Sequence, residues 1–203
     1  MRIACLDLEG VLVPEIWVNV AEATGIDDLR LTTRDIADYD ELMTHRLRVL
    51  DRHGLGIEQI QTVIADLSPL EGAKEFLEWL RSRYQVIILS DTFYQFADPL
   101  MAQLGRPTLF AHDLIIDSHG KISGYQLRLK DQKRKAIEAL RLLNFTTLAA
   151  GDSYNDLSML KSADAGVLFC PPQNLIAENP SLPVAHNYEQ LAHEFTSADE
   201  WLG

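Results

Sequence analysis

The chain has few of the features that mark secreted or membrane proteins. Its 203 residues include only two cysteines, Cys5 and Cys170, which give no CxxC spacing and no disulfide framework. We expect both to pack in the interior. No segment reaches the roughly 18–20 apolar residues of a membrane span, and the N-terminus lacks the charged and apolar regions of a secretory signal. The sequence therefore predicts a cytoplasmic protein without membrane association.

Positive charge is also scarce. The chain has 18 Lys and Arg against 30 Asp and Glu, which gives a net charge of −12 at pH 7. Domains that bind nucleic acid normally carry a basic face, so this balance argues against a nucleic-acid partner. It is compatible with a small anionic substrate, provided that a metal ion or a lysine reverses the field locally.

Short apolar runs alternate with segments of helical periodicity, which is typical of a parallel sheet flanked by helices. The strand candidates are residues 3–8, 85–89, 147–150 and 165–169. A β-hairpin is expected at 115–117 and 121–126. We therefore predict an α/β fold with a Rossmann-like parallel sheet.

The first two strands are separated by about 75 residues, far more than one crossover helix needs. Helical periodicity falls in this segment at 16–23, 40–53 and 57–67. A further helix at 71–83 would return the chain to the sheet. We predict a small helical cap domain, residues 14–68, inserted after strand one into a core formed by residues 1–13 and 69–203.

Ligands of open α/β sheets bind at the carboxyl ends of the strands, and three predicted strands present polar clusters there. These are Asp7 and Glu9, then Ser90-Asp91-Thr92, then Gly151-Asp152-Ser153-Tyr154-Asn155-Asp156. Each cluster has a plain structural alternative: solvated carboxylates in a loop for the first, and helix N-caps for the other two. The convergence of all three on one crevice favours a shared site.

The carboxylates of this crevice predict a metal site. Asp7, Asp152 and Asp156 would approach one point, and oxygen-only ligands suit Mg²⁺. No cluster of His and Cys indicates zinc, and we expect the six histidines to be surface or packing residues.

Two further features indicate anion binding. The hydroxyls around Ser90 could form a cradle for an anion at a helix N-terminus. Three lysines, Lys130, Lys133 and Lys135, would usually form a solvated face. One of them could instead reach the crevice and neutralise a phosphate.

Four short motifs together resemble those of the haloacid-dehalogenase-like hydrolases. They are Asp7-x-Glu9-Gly10-Val11, Ser90 at a strand end, a lysine before a late helix, and Gly151-Asp152-x-x-Asn155-Asp156. Within that superfamily the chain resembles the phosphoserine phosphatases over nearly its whole length, including the cap and Pro69-Leu70-Glu71-Gly72-Ala73. The combination of the four motifs is specific, whereas each alone is weak.

The resemblance implies a role for each matching residue. Asp7 would be the nucleophile that forms an aspartyl phosphate, and Glu9 would be the general acid and base. Ser90 would hydrogen-bond the phosphate, and Lys133, with Lys130 as the alternative, would stabilise its charge. The substrate-binding set also includes Asp91, Thr92 and Asn155.

The resemblance also implies a Mg²⁺ ion. The carboxylates of Asp7 and Asp152 and the backbone carbonyl of Glu9 would hold it, and Asp156 would support these ligands by hydrogen bonding.

In the cap, Glu15 and Arg46 fall where the family binds the amino acid part of phosphoserine. Arg46 could pair with an α-carboxylate, and Glu15 could hold an α-ammonium group. Glu15 could instead be an ordinary carboxylate in the first turn of a helix, and Arg46 is one of three closely spaced arginines in the cap, at 46, 48 and 52.

The sequence departs from the usual family pattern at three places. Glu9 stands where Asp is usual, Gly10 stands where a hydroxyl residue is usual, and Ser90-Asp91-Thr92 replaces Ser-Gly-Gly. These departures resemble a bacterial branch that transfers phosphate from phosphoserine to homoserine as well as to water, which would link the enzyme to serine and threonine biosynthesis. The resemblance is also compatible with a homodimer, and it leaves open both the oligomeric state and the role of Asp91.

Two alternative interpretations stay open at the level of the sequence. One keeps the fold and changes the substrate to another small phosphorylated metabolite, such as a sugar or nucleotide phosphate. The other is a non-catalytic phosphoacceptor module, which would need neither a cap of this size nor Glu9.

Overall fold

A seven-stranded sheet forms the centre of the structure, a computed structural model that describes residues 1–32, 35–36 and 38–202. The spatial order is β4-β3-β2-β1-β5-β6-β7, and the neighbouring pairs are parallel except for β3 with β4. The strands are β1 (Arg2–Leu6), β2 (Gln85–Phe93), β3 (Thr108–Ile116), β4 (Ile122–Gln126), β5 (Thr146–Gly151), β6 (Ala165–Phe169) and β7 (Val184–Ala185). The predicted α/β fold is confirmed.

Helices surround this sheet. They are α1 (Ile16–Thr24), α2 (Tyr39–His53), α3 (Ile57–Ala65), α4 (Ala73–Arg81), α5 (Tyr94–Gln103), α6 (Gln132–Leu142), α7 (Leu157–Ser162), α8 (Gln173–Glu178) and α9 (Tyr188–Leu202). Helices α1 to α3 lie in the segment predicted as the cap, residues 14–68, which we call the cap segment. The division into separate core and cap domains stays a prediction.

Burial explains why β1 is central. Its residues Ile3 to Leu6 are apolar and buried, as expected for a strand with a neighbour on each side. The chain leaves β1 towards β2 on one side and later returns to β5 on the other. The carboxyl end of β1 is therefore the point where the strand order reverses, and a crevice opens there in folds of this kind.

Helix α4 shows how the sequence pattern anchors the end of the cap segment to the sheet. Its buried residues are Ala73, Phe76, Leu77 and Leu80, a spacing that places all four on one face. That face packs towards β2 and α9. The chain thus returns to the sheet through α4, as the sequence predicts.

Two strands differ from the prediction. β2 continues past Leu89 to Phe93, although its register against β3 shifts there. β3 spans Thr108–Ile116, so the predicted hairpin is present but its first strand is longer and also pairs with β2. The polar residues His112 and Asp113 interrupt the apolar run of β3, which conceals it in the sequence.

Cys5 is buried in β1, as expected, but Cys170 is exposed, and the prediction of an interior position for it was wrong. Cys170 follows β6 at a positive φ of 45°, and its N–H donates to Ala185 O at 2.8 Å. This turn directs the residue out of the core. Among the helices of the described residues, none combines the length and apolar character needed to cross a membrane.

Candidate active site

A crevice of about 340 Å³ opens at the carboxyl ends of β1, β2 and β5 and is closed on its far side by the cap segment. Its core-side lining is Asp7, Glu9, Ser90, Asp91, Thr92, Lys133, Asp152, Ser153 and Asn155. Its cap-side lining includes Glu15, Trp17, Tyr39 and Arg46. The structure therefore brings the three polar clusters together, along with both cap residues named from the sequence.

Asp7 lies directly beyond β1, and backbone contacts hold it in place. Its N–H donates to Ala150 O at 2.9 Å, which carries the β1–β5 pairing one residue past the strand. Its Oδ1 accepts hydrogen bonds from Leu8 N–H at 2.7 Å and from the Lys133 ammonium at 2.9 Å. Burial and the nearby charge of Asp156 raise the pKa of Asp7, and Lys133 opposes that rise.

Lys133 lies in the first turn of α6 and is almost fully buried. Its Nζ lies 2.7 Å from Asp156 Oδ1, 2.9 Å from Asp7 Oδ1 and 3.8 Å from Asp91 Oδ2. Burial alone would lower the pKa of Lys133, but the three carboxylates raise it well above its usual range. Lys130 is exposed, so Lys133 is the lysine that reaches the crevice.

Asp156 organises the loop after β5. Its Oδ1 accepts from Lys133, while its Oδ2 accepts from the N–H groups of Asp152 and Ser153 at 3.0 and 3.1 Å. Ser153 and Asp156 form a capping box around the short 3₁₀ turn Tyr154–Asp156 that precedes α7. The helix-cap alternative is thus correct for this pair, and Asp156 contacts the lysine in addition.

Two glycines leave room for the side chains of Asp152 and Asp156. Gly10 has a φ of 74°, and a Cβ there would lie 2.5 Å from the Asp152 carboxyl carbon. A Cβ at Gly151 would collide with the side chain of Asp156. Gly10, noted above as a departure from the family pattern, is therefore required for the position of Asp152 in this structure.

The carboxylates fit a divalent cation. Asp7, Asp152 and Asp156 offer oxygens that all lie within 4.8 Å of one another, the one such group found in the described part of the chain. Burial and the charge of Asp156 raise the pKa of Asp152 to about 7, as expected where carboxylates crowd together. Because Asp156 already accepts hydrogen bonds at both oxygens, Asp7 and Asp152 are the better direct ligands for a hard cation such as Mg²⁺.

Glu9 lies beside this cluster but faces the start of the cap segment. Its Oε2 accepts from Ile16 N–H, the first residue of α1, at 2.8 Å. Burial and the charge of Glu15 raise the pKa of Glu9 to about 7, against the lowering effect of the Ile16 N–H. A carboxyl group with a pKa near neutrality can both donate and accept a proton at physiological pH.

Ser90 and Thr92 are buried in the irregular end of β2, where Thr92 N–H donates to Ser90 Oγ at 3.3 Å. Helix α5 begins at Tyr94, and its N-cap Phe93 makes no side-chain cap bond. The helix-cap alternative for Ser90-Asp91-Thr92 is therefore wrong, because these residues belong to the strand. Their side chains line the crevice instead.

A buried network around Asp91 was missed by the sequence analysis. Asp91 Oδ1 lies 3.5 Å from His112 Nε2 and 3.3 Å from Gln132 Nε2. His112 and Gln132 are both buried. His112 packs beside Phe93, which agrees with the expectation of a surface or packing residue, and it contacts Asp91 in addition. Recognising that β3 extends back from the predicted hairpin to include His112 would have indicated this role.

The cap side presents Arg46 from α2. Its Nη2 donates to Leu31 O at 2.8 Å, and its guanidinium lies over the Trp17 ring at 4.5 Å. Its Nε is buried without a hydrogen-bond partner among the described residues. Burial lowers the pKa of Arg46 to about 10, so the group stays charged at neutral pH. The other two arginines of the set, Arg48 and Arg52, are exposed.

Glu15 is the N-cap residue of α1 and makes no side-chain cap bond. It is exposed towards the crevice, which it lines together with Arg46. Its interpretation as a first-turn helix carboxylate is therefore wrong, because the helix starts one residue later. A carboxylate and a guanidinium on one wall form a complementary pair for a small molecule that carries both an ammonium group and a carboxylate.

Comparison with known proteins extends these observations. A haloacid dehalogenase-like hydrolase family model matches residues 1–164. The phosphoserine phosphatase ThrH of Pseudomonas aeruginosa is 61% identical over 198 residues, which cover 98% of this chain and 97% of that protein. A phosphoserine phosphatase of Pseudomonas syringae pv. tomato is 59% identical over 198 residues, covering 98% of this chain and 84% of the relative.

Solved structures agree at the level of the fold. A substrate-bound phosphoserine phosphatase complex superposes with a TM-score of 0.77 at 21% identity, covering 95% of this chain and 97% of that one. A phospho-aspartyl intermediate analogue of phosphoserine phosphatase gives a TM-score of 0.73 at 21% identity, with 90% and 92% covered.

Proposed function

The chain belongs to the haloacid dehalogenase-like hydrolases, and on that basis we propose that it is a Mg²⁺-dependent phosphoserine phosphatase that also transfers the phosphoryl group to homoserine. One observation carries the proposal. The crevice places a buried Asp7–Lys133–Asp156 cluster opposite a buried Arg46 whose Nε has no hydrogen-bond partner within the part of the chain that the structure describes. It thus has groups for phosphoryl transfer on one wall and a group for a carboxylate on the other.

The first half of the reaction uses Asp7 and Glu9. A carboxylate oxygen of Asp7 attacks phosphorus, the bond from phosphorus to the serine oxygen breaks, and Glu9 gives its proton to that leaving oxygen. Serine and an aspartyl phosphate are the products of this step. The contact between Asp7 Oδ1 and Lys133 holds the nucleophile in position and places positive charge beside the transferring group.

The second half transfers the phosphoryl group from Asp7 to an acceptor. The hydroxyl group of water or homoserine attacks phosphorus, Glu9 takes up its proton, and the bond to Asp7 breaks. The products are a free Asp7 carboxylate and either inorganic phosphate or phosphohomoserine. The pKa of Glu9, raised to about 7 by burial, suits both directions of proton transfer.

Mg²⁺ would be held by the Asp7 and Asp152 carboxylates and the Glu9 carbonyl, with Asp156 supporting them from behind. When bound, it would supply positive charge to the phosphoryl oxygens and offset the repulsion among the carboxylates. The remaining phosphate contacts in this proposal come from Ser90, Thr92 and Asn155, which line the same wall.

The amino acid portion of the substrate would lie on the cap side. Arg46 would bind the α-carboxylate and Glu15 the α-ammonium group. Homoserine is serine with one additional methylene, and a pocket discriminates one methylene by only roughly 1–3 kcal/mol. Arg46 and Glu15 could therefore hold phosphoserine as the phosphoryl donor and, in turn, homoserine as the acceptor. The relatives that are about 60% identical, named phosphoserine phosphatases, support the choice of donor.

The test is a product assay. The protein is incubated with phosphoserine and Mg²⁺, with and without homoserine, and inorganic phosphate and phosphohomoserine are quantified by ³¹P NMR. We expect both products with homoserine, phosphate alone without it, and neither after treatment with EDTA until Mg²⁺ is restored. Phosphate alone in every mixture would reduce the proposal to a phosphatase. Turnover of a sugar or nucleotide phosphate without turnover of phosphoserine would overturn it.

A further inference from the structure

Asp91 places a negative charge where a phosphate is expected to bind. Its carboxylate lines the crevice next to Ser90, and its Oδ2 lies 3.2 Å from Asn155 Nδ2 and 3.8 Å from Lys133 Nζ. Asn155 and Lys133 supply the side-chain nitrogen donors among the described residues that line this wall. Because the Asp91 carboxylate contacts both of these donors, it competes directly with an anionic ligand for them.

The position of Asp91 is maintained by buried side chains. Its Oδ1 accepts from Gln132, which also donates to the backbone carbonyl of Ser90 at 2.5 Å. His112 Nδ1 accepts from Arg128 N–H at 3.1 Å, so the ring proton lies on Nε2 and faces Asp91. Burial would raise the pKa of Asp91, but Lys133, His112 and Gln132 together hold it well below its usual range. The carboxylate is therefore both fixed and ionised.

Asp91 and a bound phosphate would compete for one N–H donor of the Lys133 ammonium group. It has three N–H donors. Asp156 and Asp7 lie at 2.7 and 2.9 Å and take two of them, while Asp91 is more distant at 3.8 Å. The third donor is thus weakly held by Asp91 and is the one that a phosphate oxygen would take.

We propose that Asp91 is an affinity-determining residue that competes with free phosphate for Lys133 and Asn155 and so promotes release of this product. The inference rests on the proposed phosphoryl transfer in this crevice. An aspartyl phosphate is retained by its covalent bond to Asp7, whereas free phosphate is retained only by noncovalent contacts. Repulsion by Asp91 therefore acts most strongly on the product that must leave.

The test measures binding of inorganic phosphate to the Mg²⁺-loaded protein by isothermal titration calorimetry. Asp91→Asn removes the charge and retains the shape, and we expect it to bind phosphate about tenfold more tightly, as expected for one charge removed within a few ångströms of the ligand. Asp91→Gly removes the side chain and should also bind more tightly than the unmodified protein. Asp113→Asn, an exposed residue of β3, is the matched control and should change binding less than about twofold.

Inhibition of phosphoserine turnover by phosphate provides the second measurement, and the inhibition constant should fall in parallel with the dissociation constant. Equal or weaker phosphate binding in both Asp91 variants, or no detectable binding in any of the proteins, would overturn the inference. The calorimetric result does not depend on phosphoserine being the substrate. A tighter phosphate complex without phosphoserine turnover would therefore refute the proposed substrate and leave the role of Asp91 supported.

Discussion

The two walls of the crevice are built differently. On the core wall, Lys133 Nζ contacts the Asp156 and Asp7 carboxylates at 2.7 and 2.9 Å, and backbone N–H groups further hold both carboxylates. On the cap wall, Arg46 has one hydrogen bond to a carbonyl, a stacking contact with Trp17 and a buried Nε without a partner in the described structure. The charges of the core wall are thus paired with one another without a ligand, although Thr92 Oγ1 on that wall lacks a hydrogen-bond partner among the described residues. On the cap wall it is the charged group itself, the Arg46 guanidinium, that is incompletely partnered.

This difference between the two walls indicates which of them selects among phosphate ester substrates. A buried donor without a partner costs about 1–3 kcal/mol, which a ligand that supplies the missing acceptor recovers on binding. On the core wall the unpartnered buried side-chain atom among the described residues is the neutral Thr92 hydroxyl, and the paired charges there contribute position and charge to any phosphate ester. We infer that the chemistry resides in the core wall and that preference for an amino acid substrate resides in the cap wall.

The largest expected effect comes from the core wall. Asp7→Asn removes the nucleophile and should lower phosphate release from phosphoserine by about 10⁴-fold or more, as removal of a covalent nucleophile typically does. Circular dichroism should show an unchanged fold, since Asn preserves the size of the side chain. Asp113→Asn is the control and should retain full activity. Turnover within a hundredfold of the unmodified protein would show that Asp7 is not the nucleophile.

The second-largest expected effect is the loss of stability on removing the charge of Lys133. Lys133→Met leaves the Asp7 and Asp156 carboxylates buried without their counter-ion, so the free energy of unfolding should fall by about 3–5 kcal/mol. Urea unfolding of the Mg²⁺-free protein measures this change. Lys130→Met alters an exposed lysine and should stay within about 0.5 kcal/mol. Equal stability of the two variants would contradict the description of the core wall as an interdependent charge cluster.

The smallest of these effects concerns the cap wall. Arg46→Met removes the partner of the substrate carboxylate and should raise the KM for phosphoserine by about 10- to 100-fold, since a hydrogen bond to a charged group contributes about 1.5–3 kcal/mol. Turnover of phosphoethanolamine, which lacks the carboxylate, should be nearly unchanged. Arg48→Met is the exposed control. An equal loss with both substrates would place Arg46 in the folding of the cap segment rather than in selectivity.

Much of the core wall could be predicted from the sequence because its residues follow apolar strands at short intervals. Asp7, Ser90 and Asp152 each come within two residues of the end of a recognisable apolar run, and parallel strands bring such ends to one edge. The Asp91 network could not be predicted in this way. It depends on His112 in a strand interrupted by polar residues and on Gln132 at the start of a helix, 21 and 41 positions further along the chain than Asp91.

Chain order and side-chain chemistry by themselves determined the α/β fold, the cap segment after β1 and the carboxylates at the carboxyl ends of the strands, because local apolar periodicity and turn residues encode them. Tertiary structure alone decided that Lys133 rather than Lys130 reaches the carboxylates, and that Arg46 is buried while Arg48 and Arg52 are exposed. It also decided that Gly10 makes room for Asp152 and that Asp91 is held by His112. These outcomes depend on distances between segments far apart in the chain, and such distances exist only once the sheet and helices have packed.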